Sequence, residues 1–287
     1  MINLDFNLHD QLKSDIKYHI SKFPDGQQSI TITSSVVDVN NYSIMILSKM
    51  NSFLDVELII LATQCLRECG YSNISLYIPY FLGGRSDRKF EHGSVNYIKS
   101  VISPIINSQK YNHVYVLDPH SDVIEACINN FVAIDNTNIV KEALMNLTDN
   151  VVFVSSDGGS LKKIYNLVSK LGPTIRNGNY PIIIGNKHRE NGKIVSTSVP
   201  DCEKYFDSDY VIVDDICDGG RTFIEVAKII KNGIDSNKGK GKIYLVVAHG
   251  IFSAGFEELS KYFTKIWTTN SIRNIEPNKL INQINIL

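Results

Sequence analysis

Residues 210–225 read Y-V-I-V-D-D-I-C-D-G-G-R-T-F-I-E, and the order of residue types in this stretch decides how the chain folds. Val211, Ile212 and Val213 form a β-branched apolar run, the pattern of a buried parallel strand. Two carboxylates, Asp214 and Asp215, stand at its carboxyl end. A glycine-bearing loop follows and leads into an amphipathic segment, Phe223 to Ile230. Gly219 and Gly220 can adopt positive φ and let backbone N–H groups approach a ligand. The helix behind them offers uncapped N–H groups and the positive end of its dipole to an anion. A carboxylate accepts two O–H donors at once, so the acidic pair suits vicinal hydroxyls, and the whole suits a phosphorylated sugar. Taken alone, the same residues also read as a strand end followed by a plain turn.

Outward from this stretch the chain alternates strands and helices. Ser14 to Phe23 ends in the turn signal Asp25-Gly26, and the alternating run Ser29 to Val36 completes a predicted hairpin. Strands are predicted at Ser43–Leu47, Ile74–Ile78, Val114–Leu117, Val151–Val154, Pro181–Ile184 and Ile243–Ala248. Helices are predicted at Phe53–Glu68, Val95–Asn107 and Leu161–Leu171. This rhythm implies βαβ units and parallel sheets. Two series of similar length imply two domains, 1–146 and 147–287. The polar stretch G-N-K-H-R-E-N-G-K (185–193) reads as a mobile loop. In P-Y-F-L-G-G-R-S-D-R-K-F (79–90), Arg85, Arg88 and Lys89 surround Asp87, a composition suited to polyphosphate or to plain solvation. His120, just past a strand, suits either a metal-bound phosphate or a helix cap.

Composition narrows the classes. The chain has 287 residues, 43% of them hydrophobic, enough for a sizeable core. A net charge of −1 carries no nucleic-acid footprint. Five cysteines without a C-x-x-C pair argue against a disulfide framework or a structural zinc site, and fit a reducing cytoplasm. The amino terminus has no leader pattern, and no apolar run reaches membrane-spanning length, so no membrane partner is expected.

Seven motifs in one order resemble the ribose-phosphate pyrophosphokinases over nearly the whole chain. F-P-D-G-Q is similar to the family's F-x-D-G-E, P-Y-F-L-G-G-R-S-D-R to P-Y-F-x-x-x-R-Q-D-R, and V-L-D-P-H to D-L-H. V-S-S-D-G-G-S is similar to V-S-P-D-x-G-G, K-H-R to K-x-R, and V-D-D-I-C-D-G-G-R-T to V-D-D-x-x-D-T-x-G-T; H-G-I-F-S matches unchanged. The resemblance implies an α/β chain of two type I phosphoribosyltransferase-like domains, each a mainly parallel sheet flanked by helices. It implies transfer of pyrophosphate from Mg-ATP to the anomeric hydroxyl of ribose 5-phosphate, with AMP released and the product serving nucleotide and NAD synthesis. On this resemblance Asp214 and Asp215 hold ribose hydroxyls, and Asp218, Gly219, Gly220, Arg221 and Thr222 cradle the 5′-phosphate. Arg85, Asp87 and His120 engage ATP, His120 and Asp157 lie at the Mg²⁺ site, and Lys187 with Arg189 stabilises the transferring group. Phe23, Asp25 and Gln27 reach the adenine of a neighbouring subunit, which implies a homo-oligomer, a dimer or a hexamer built from dimers.

The departures are specific. Gln27 replaces a glutamate, Ser86 a glutamine and Pro119 a leucine. In the acceptor loop Gly219 stands for a threonine and Arg221 for a glycine. Losing the hydroxyl removes a phosphate donor, while a guanidinium at 221 could take a second phosphate, which makes ADP-ribose an alternative acceptor. A non-catalytic regulatory homologue is the alternative of another class, disfavoured by the retained Lys187, Arg189, His120 and Asp157. A phosphoribosyltransferase or a phosphoribosyl-pyrophosphate-sensing repressor would leave the 79–90 loop without a role.

Overall fold

The computed structural model describes residues 2–33, 41–171, 180–190 and 193–287, without the side chains of residues 187–190 and 193–196. The chain divides into one compact unit that runs to Ile134 and takes in Ile286–Leu287, and a second of Asp135–Asn285.

The first unit is built on β1 (Ile2–Asn7), β4 (Tyr42–Leu47), β5 (Ile74–Tyr77), β6 (Val114–Leu117) and β7 (Phe131–Ile134), in that spatial order. All four pairings are parallel. A separate hairpin joins β2 (Tyr18–Lys22) to β3 (Gln28–Ile32) across Asp25-Gly26. The predicted continuation of this second strand to Val36 runs into residues 34–40, outside the described residues. Helix α1 (Phe53–Glu68) has the predicted bounds because both ends are chemically marked. Ser52 and Asp55 form a capping box at its start, and Gly70, at φ +93°, turns the chain at its end. The helix predicted over Val95–Asn107 is shorter. It opens in a π turn at Ile98–Ile102 and continues as α2 (Ser103–Ser108). Pro104 has no N–H for a helical bond, which accounts for the wider turn there. Helix α3 (Val123–Cys127) precedes β7.

The second unit begins with α4 (Thr137–Leu144), followed by β8 (Val151–Ser155), α5 (Leu161–Leu171) and β9 (Ile182–Ile184). Then come β10 (Asn186–Glu190), β11 (Lys193–Ser198), β12 (Asp209–Cys217), α6 (Arg221–Ser236), β13 (Ile243–Gly250), α7 (Glu257–Ser260), β14 (Lys265–Thr269) and β15 (Ile281–Ile284). The division between units therefore falls one helix earlier than 146/147. Helix α4 packs on α5, β13 and β14, and Asn282 Nδ2 donates to Glu142 Oε1 at 3.1 Å, so its buried Ile139, Val140, Ala143 and Leu144 serve the second core. The stretch predicted as a mobile loop is a second hairpin, in which β10 pairs antiparallel with β11. Asn186–Glu190 lacks apolar alternation, so its strand character comes from pairing and not from its own pattern.

The six-stranded sheet runs β15-β14-β13-β12-β8-β9, all parallel. Val152, Val154, Ile212, Leu245, Val247 and Ile266 pack with Phe223, Val226, Ala227 and Ile230 of α6. The alternate residues Val151, Phe153, Val211, Val213 and Val246 are buried as well, so the sheet is covered on both faces. Each such side chain contributes about 1.5–3 kcal/mol by leaving water. The exposed pairs on α6, Lys228–Glu225 at 2.9 Å and Lys231–Asp235 at 3.5 Å, are worth about 0.3–0.5 kcal/mol each. Burial therefore sets where α6 lies. Ile212→Ala, at the fully buried centre of β12, is expected to lower the stability of the second unit by about 3 kcal/mol, read as a shift of the urea unfolding midpoint.

Candidate active site

The strand order of the second sheet places the site. From β8 the chain moves outward to β9 and then returns to β12 on the other side of β8. Ligands of open parallel sheets sit at such a reversal, beyond the carboxyl ends of the strands. Here those ends carry Ser155, Ser156 and Asp157 on one side and Asp214 to Asp218 on the other.

Asp214 and Asp215 meet different surroundings. Ser156 Oγ donates to Asp214 Oδ2 at 2.6 Å, and the Asp215 amide donates to Asp214 Oδ1 at 2.9 Å. Asp215 Oδ1 accepts from the Ile216 amide, and Lys163 Nζ of α5 stands 3.9 Å from its Oδ2. Burial first, and then the neighbouring Asp215 charge, push the Asp214 carboxyl well above the usual range. The thiol of Cys217 is pushed up to about 12 by burial, which removes it as a nucleophile.

Beyond the pair, Gly220 caps α6 at φ +78° and has no side chain to cap with. No acidic residue stands in the first turn, so nothing on the helix competes with an anion there. Arg221 is the first helical residue and is exposed; Thr222 is half-buried. The H-G-I-F-S stretch holds this loop from behind. The amides of Ile251 and Phe252 donate to Cys217 O, and Ser253 Oγ donates to Asp218 Oδ1 at 2.6 Å.

Asp157 stays at the start of α5, where its Oδ1 accepts from the amides of Gly159 and Ser160 at 3.0 and 3.2 Å. Lys187 and Arg189 lie on β10; their side chains are outside the described residues. Among the described residues no group of three or more His, Cys, Asp or Glu side chains gathers as a cation site.

The first unit assembles a second constellation. The loop after β5 folds back at Gly83, where φ is +79° and a Cβ would lie 2.1 Å from the Tyr97 ring. Its neighbour Gly84 faces His120, whose Cβ lies 3.9 Å from where a Gly84 Cβ would be. Asp118, at φ +36°, turns the chain into His120, so Arg85, Asp87 and His120 are brought to one end of the sheet. Asp87 is only 5% exposed. Its two oxygens receive Arg88 Nε and Nη2 at 2.9 Å each, and Oδ2 also receives Ser121 Oγ at 2.6 Å. The Arg88 bond holds this carboxyl down to about 2, with Ser121 and His120 adding to it. Asp87 is thus committed to neighbouring side chains. Phe23, Asp25 and Gln27 sit at the turn of the β2–β3 hairpin, where Phe23 is 52% exposed and Asp25 Oδ1 accepts from the Gln27 amide. Gln28 ties that hairpin to Leu54 and Glu57 of α1.

Ser121 and Lys163 stand outside the quoted motifs, whereas Ser156 and Ser253 fall inside V-S-S-D-G-G-S and H-G-I-F-S with no role read from them. The two loop glycines also differ in kind. A Cβ on Gly220 would meet Leu259 Cδ2 at 2.9 Å in a left-handed backbone, whereas one on Gly219 would meet nothing nearer than Ser253 Oγ at 3.7 Å. Gly220→Ala is expected to lower stability by about 1–2 kcal/mol and Gly219→Ala by less than about 0.5 kcal/mol. Equal thermal midpoints for the two variants would contradict this distinction.

Comparison with known proteins agrees with this geometry. Residues 130–234 match the phosphoribosyl transferase domain family. Ribose-phosphate pyrophosphokinase A of Dictyostelium discoideum is 25% identical over 287 residues, which covers 94% of this chain and 85% of that protein. Ribose-phosphate pyrophosphokinase of Pyrococcus furiosus is 26% identical over 261 residues, covering 88% and 85%. The fold is that of phosphoribosylpyrophosphate synthetase from Mycobacterium smegmatis, with a TM-score of 0.79 over 99% of this chain and 94% of that one, at 15% identity. No helix among the described residues is long and apolar enough to cross a membrane. Seven motifs in family order, two parallel α/β units and relatives of one kind matched over most of their length make the chain similar to the ribose-phosphate pyrophosphokinases from end to end.

Proposed function

We propose that this protein transfers the β,γ-pyrophosphoryl group of ATP to the anomeric hydroxyl of ribose 5-phosphate. The O1 oxygen attacks the β-phosphorus, the bond to the α-phosphate oxygen breaks, AMP leaves, and the hydroxyl proton is lost. The observation that carries the reading is the adjacency, at the sheet's reversal, of Asp214 and Asp215 to the uncapped first turn of α6. The carboxylates accept the vicinal ribose hydroxyls, and Asp218 to Thr222 receive the 5′-phosphate. Arg85 and His120 attend the nucleotide. His120 and Asp157 are the side chains that would meet a Mg²⁺ carried by the substrate phosphates, and the ion would neutralise phosphate charge. Lys187 and Arg189 stabilise the group in transfer, a reaction that depends on positioning and charge more than on a covalent nucleophile. The exposed tip Phe23, Asp25 and Gln27 serves the adenine site of a second subunit, so the working form is a homo-oligomer.

A second acceptor, ADP-ribose, is favoured by one observation. Glycine at 219 is required neither by backbone angle nor by crowding, so the space it leaves is available to a substituent on the 5′-phosphate. Arg221, exposed beside it, supplies a fork for another phosphate.

Release of AMP from Mg-ATP, measured with each acceptor in turn, tests both readings. Ribose 5-phosphate turnover with ADP-ribose inert would exclude the second; no AMP with either would favour a regulatory, non-catalytic protein. Lys187→Ala is expected to slow AMP formation by about 100-fold or more, and an unchanged rate would withdraw its catalytic role. Acceptor binding has a pH signature as well. Because the Asp214 pKa is raised in the fold, acceptor affinity should strengthen as pH rises through that raised value and the carboxylate forms. The sign for stability is opposite, since a raised acid favours the fold while protonated and loses that advantage as it ionises. Asp214→Asn should flatten both dependences, followed by calorimetric titration and by unfolding across pH.

A further inference from the structure

We propose that Ser121 is a positioning residue for the nucleotide: its hydroxyl, acting through Asp87, fastens the 79–97 loop to the turn that carries His120. The inference rests on the pyrophosphokinase reading for its ligand, and on the geometry of the first unit alone for the fastening.

Both roles of the Ser121 hydroxyl are used. It donates to Asp87 Oδ2 at 2.6 Å and accepts from the Val123 amide at 3.2 Å, which fixes its direction. Asp87 is where three parts of the unit meet. Its carboxylate binds Arg88 from its own loop and Ser121 from the turn after β6, while its backbone carbonyl accepts from Asn96 Nδ2. The fork of Arg88 is thereby held by one edge while its side chain remains 70% exposed, a cation oriented in advance. Asn96 Oδ1 in turn accepts from the Lys99 amide, and the Tyr97 amide donates to Ser86 O, so both ends of the loop are drawn to Asp87.

A nearly buried carboxylate must keep its partners, because a charge left unpaired there costs more than the bond itself. Arg88 is one residue away and follows the loop wherever it goes. Ser121 does not: it is 34 positions distant in the chain and belongs to the His120 turn. Of the contacts to the carboxylate, it is therefore the hydroxyl that fixes the two loops to each other. A polyphosphate needs donors from both loops at fixed separation, and ordering them beforehand spares binding that entropy.

The test compares Ser121→Ala and Ser121→Thr with the natural protein. In ligand-free protein, hydrogen exchange at the Ser86 and Tyr97 amides should be about tenfold faster in the alanine variant and close to natural in the threonine variant, which keeps the hydroxyl. Calorimetric binding of a non-hydrolysable Mg-ATP analogue should weaken about tenfold in the alanine variant and recover in the threonine variant, with ribose 5-phosphate affinity unchanged in both. Unaltered exchange in Ser121→Ala overturns the fastening. Faster exchange with unaltered nucleotide affinity overturns the positioning role. A natural protein that binds no nucleotide at all overturns the pyrophosphokinase reading and the positioning role with it, and the exchange data still decide the fastening.

Discussion

A parallel sheet covered on both faces leaves polar chemistry nowhere to go but its edges, and this constraint organises the second unit. Strand β12 is apolar from Tyr210 to Val213 because both of its sides meet core, and its carboxylates stand at the two ends of that run, Asp209 before it and Asp214 and Asp215 after it. The chain reverses direction across the sheet at that same place, which opens a crevice between the ends of β8 and β12. Asp214, Asp215 and the first turn of α6 are therefore neighbours as a result of packing, before any ligand is considered. The raised pKa of Asp214 is the electrostatic trace of putting a carboxylate at the rim of a dry sheet beside a second one.

Short hydroxyl-to-carboxylate bonds recur in each unit. Ser156 holds Asp214, Ser253 holds Asp218 and Ser121 holds Asp87, each at 2.6 Å. In every case the serine lies on a different loop from the acid it holds. Such bonds orient the acid without neutralising it, and they strengthen where the acceptor is ionised. Loops that must receive a charged ligand in register are better held by these than by mobile surface ion pairs, which water screens. The serines fix where these carboxyl groups point.

How far the site was legible follows from chain distance. The 214–222 loop was readable because Asp214 to Thr222 are contiguous and their order states strand, acid and helix start in turn. The serine pairings were not: Ser156 and Ser253 fall inside quoted motifs and Ser121 beside one, but they stand 58, 35 and 34 positions from the acids they bind, and no local pattern joins the two. Asp87 shows the cost: its motif suggested a ligand contact, whereas its oxygens are taken by Arg88 and Ser121. Strand β1 carried an alternating signal in Ile2, Leu4 and Phe6 that went unread, since only its pairing with β4 makes it an edge strand. Helix α4 fell on the other side of the expected boundary for a similar reason, its apolar face being assigned by the core it meets.

The amino-acid sequence by itself determined the α/β class, the two-unit organisation, the strand–carboxylate–glycine–helix order of residues 210–225 and the family resemblance, because these depend on local periodicity and on contiguous motifs in a fixed order. Tertiary structure alone decided where the units divide, that residues 186–190 pair with 193–198, that Gly220 but not Gly219 is required by the fold, and that Asp87 is clamped. Each of those depends on atoms brought together from distant parts of the chain, where burial and hydrogen-bond geometry, not composition, set the outcome.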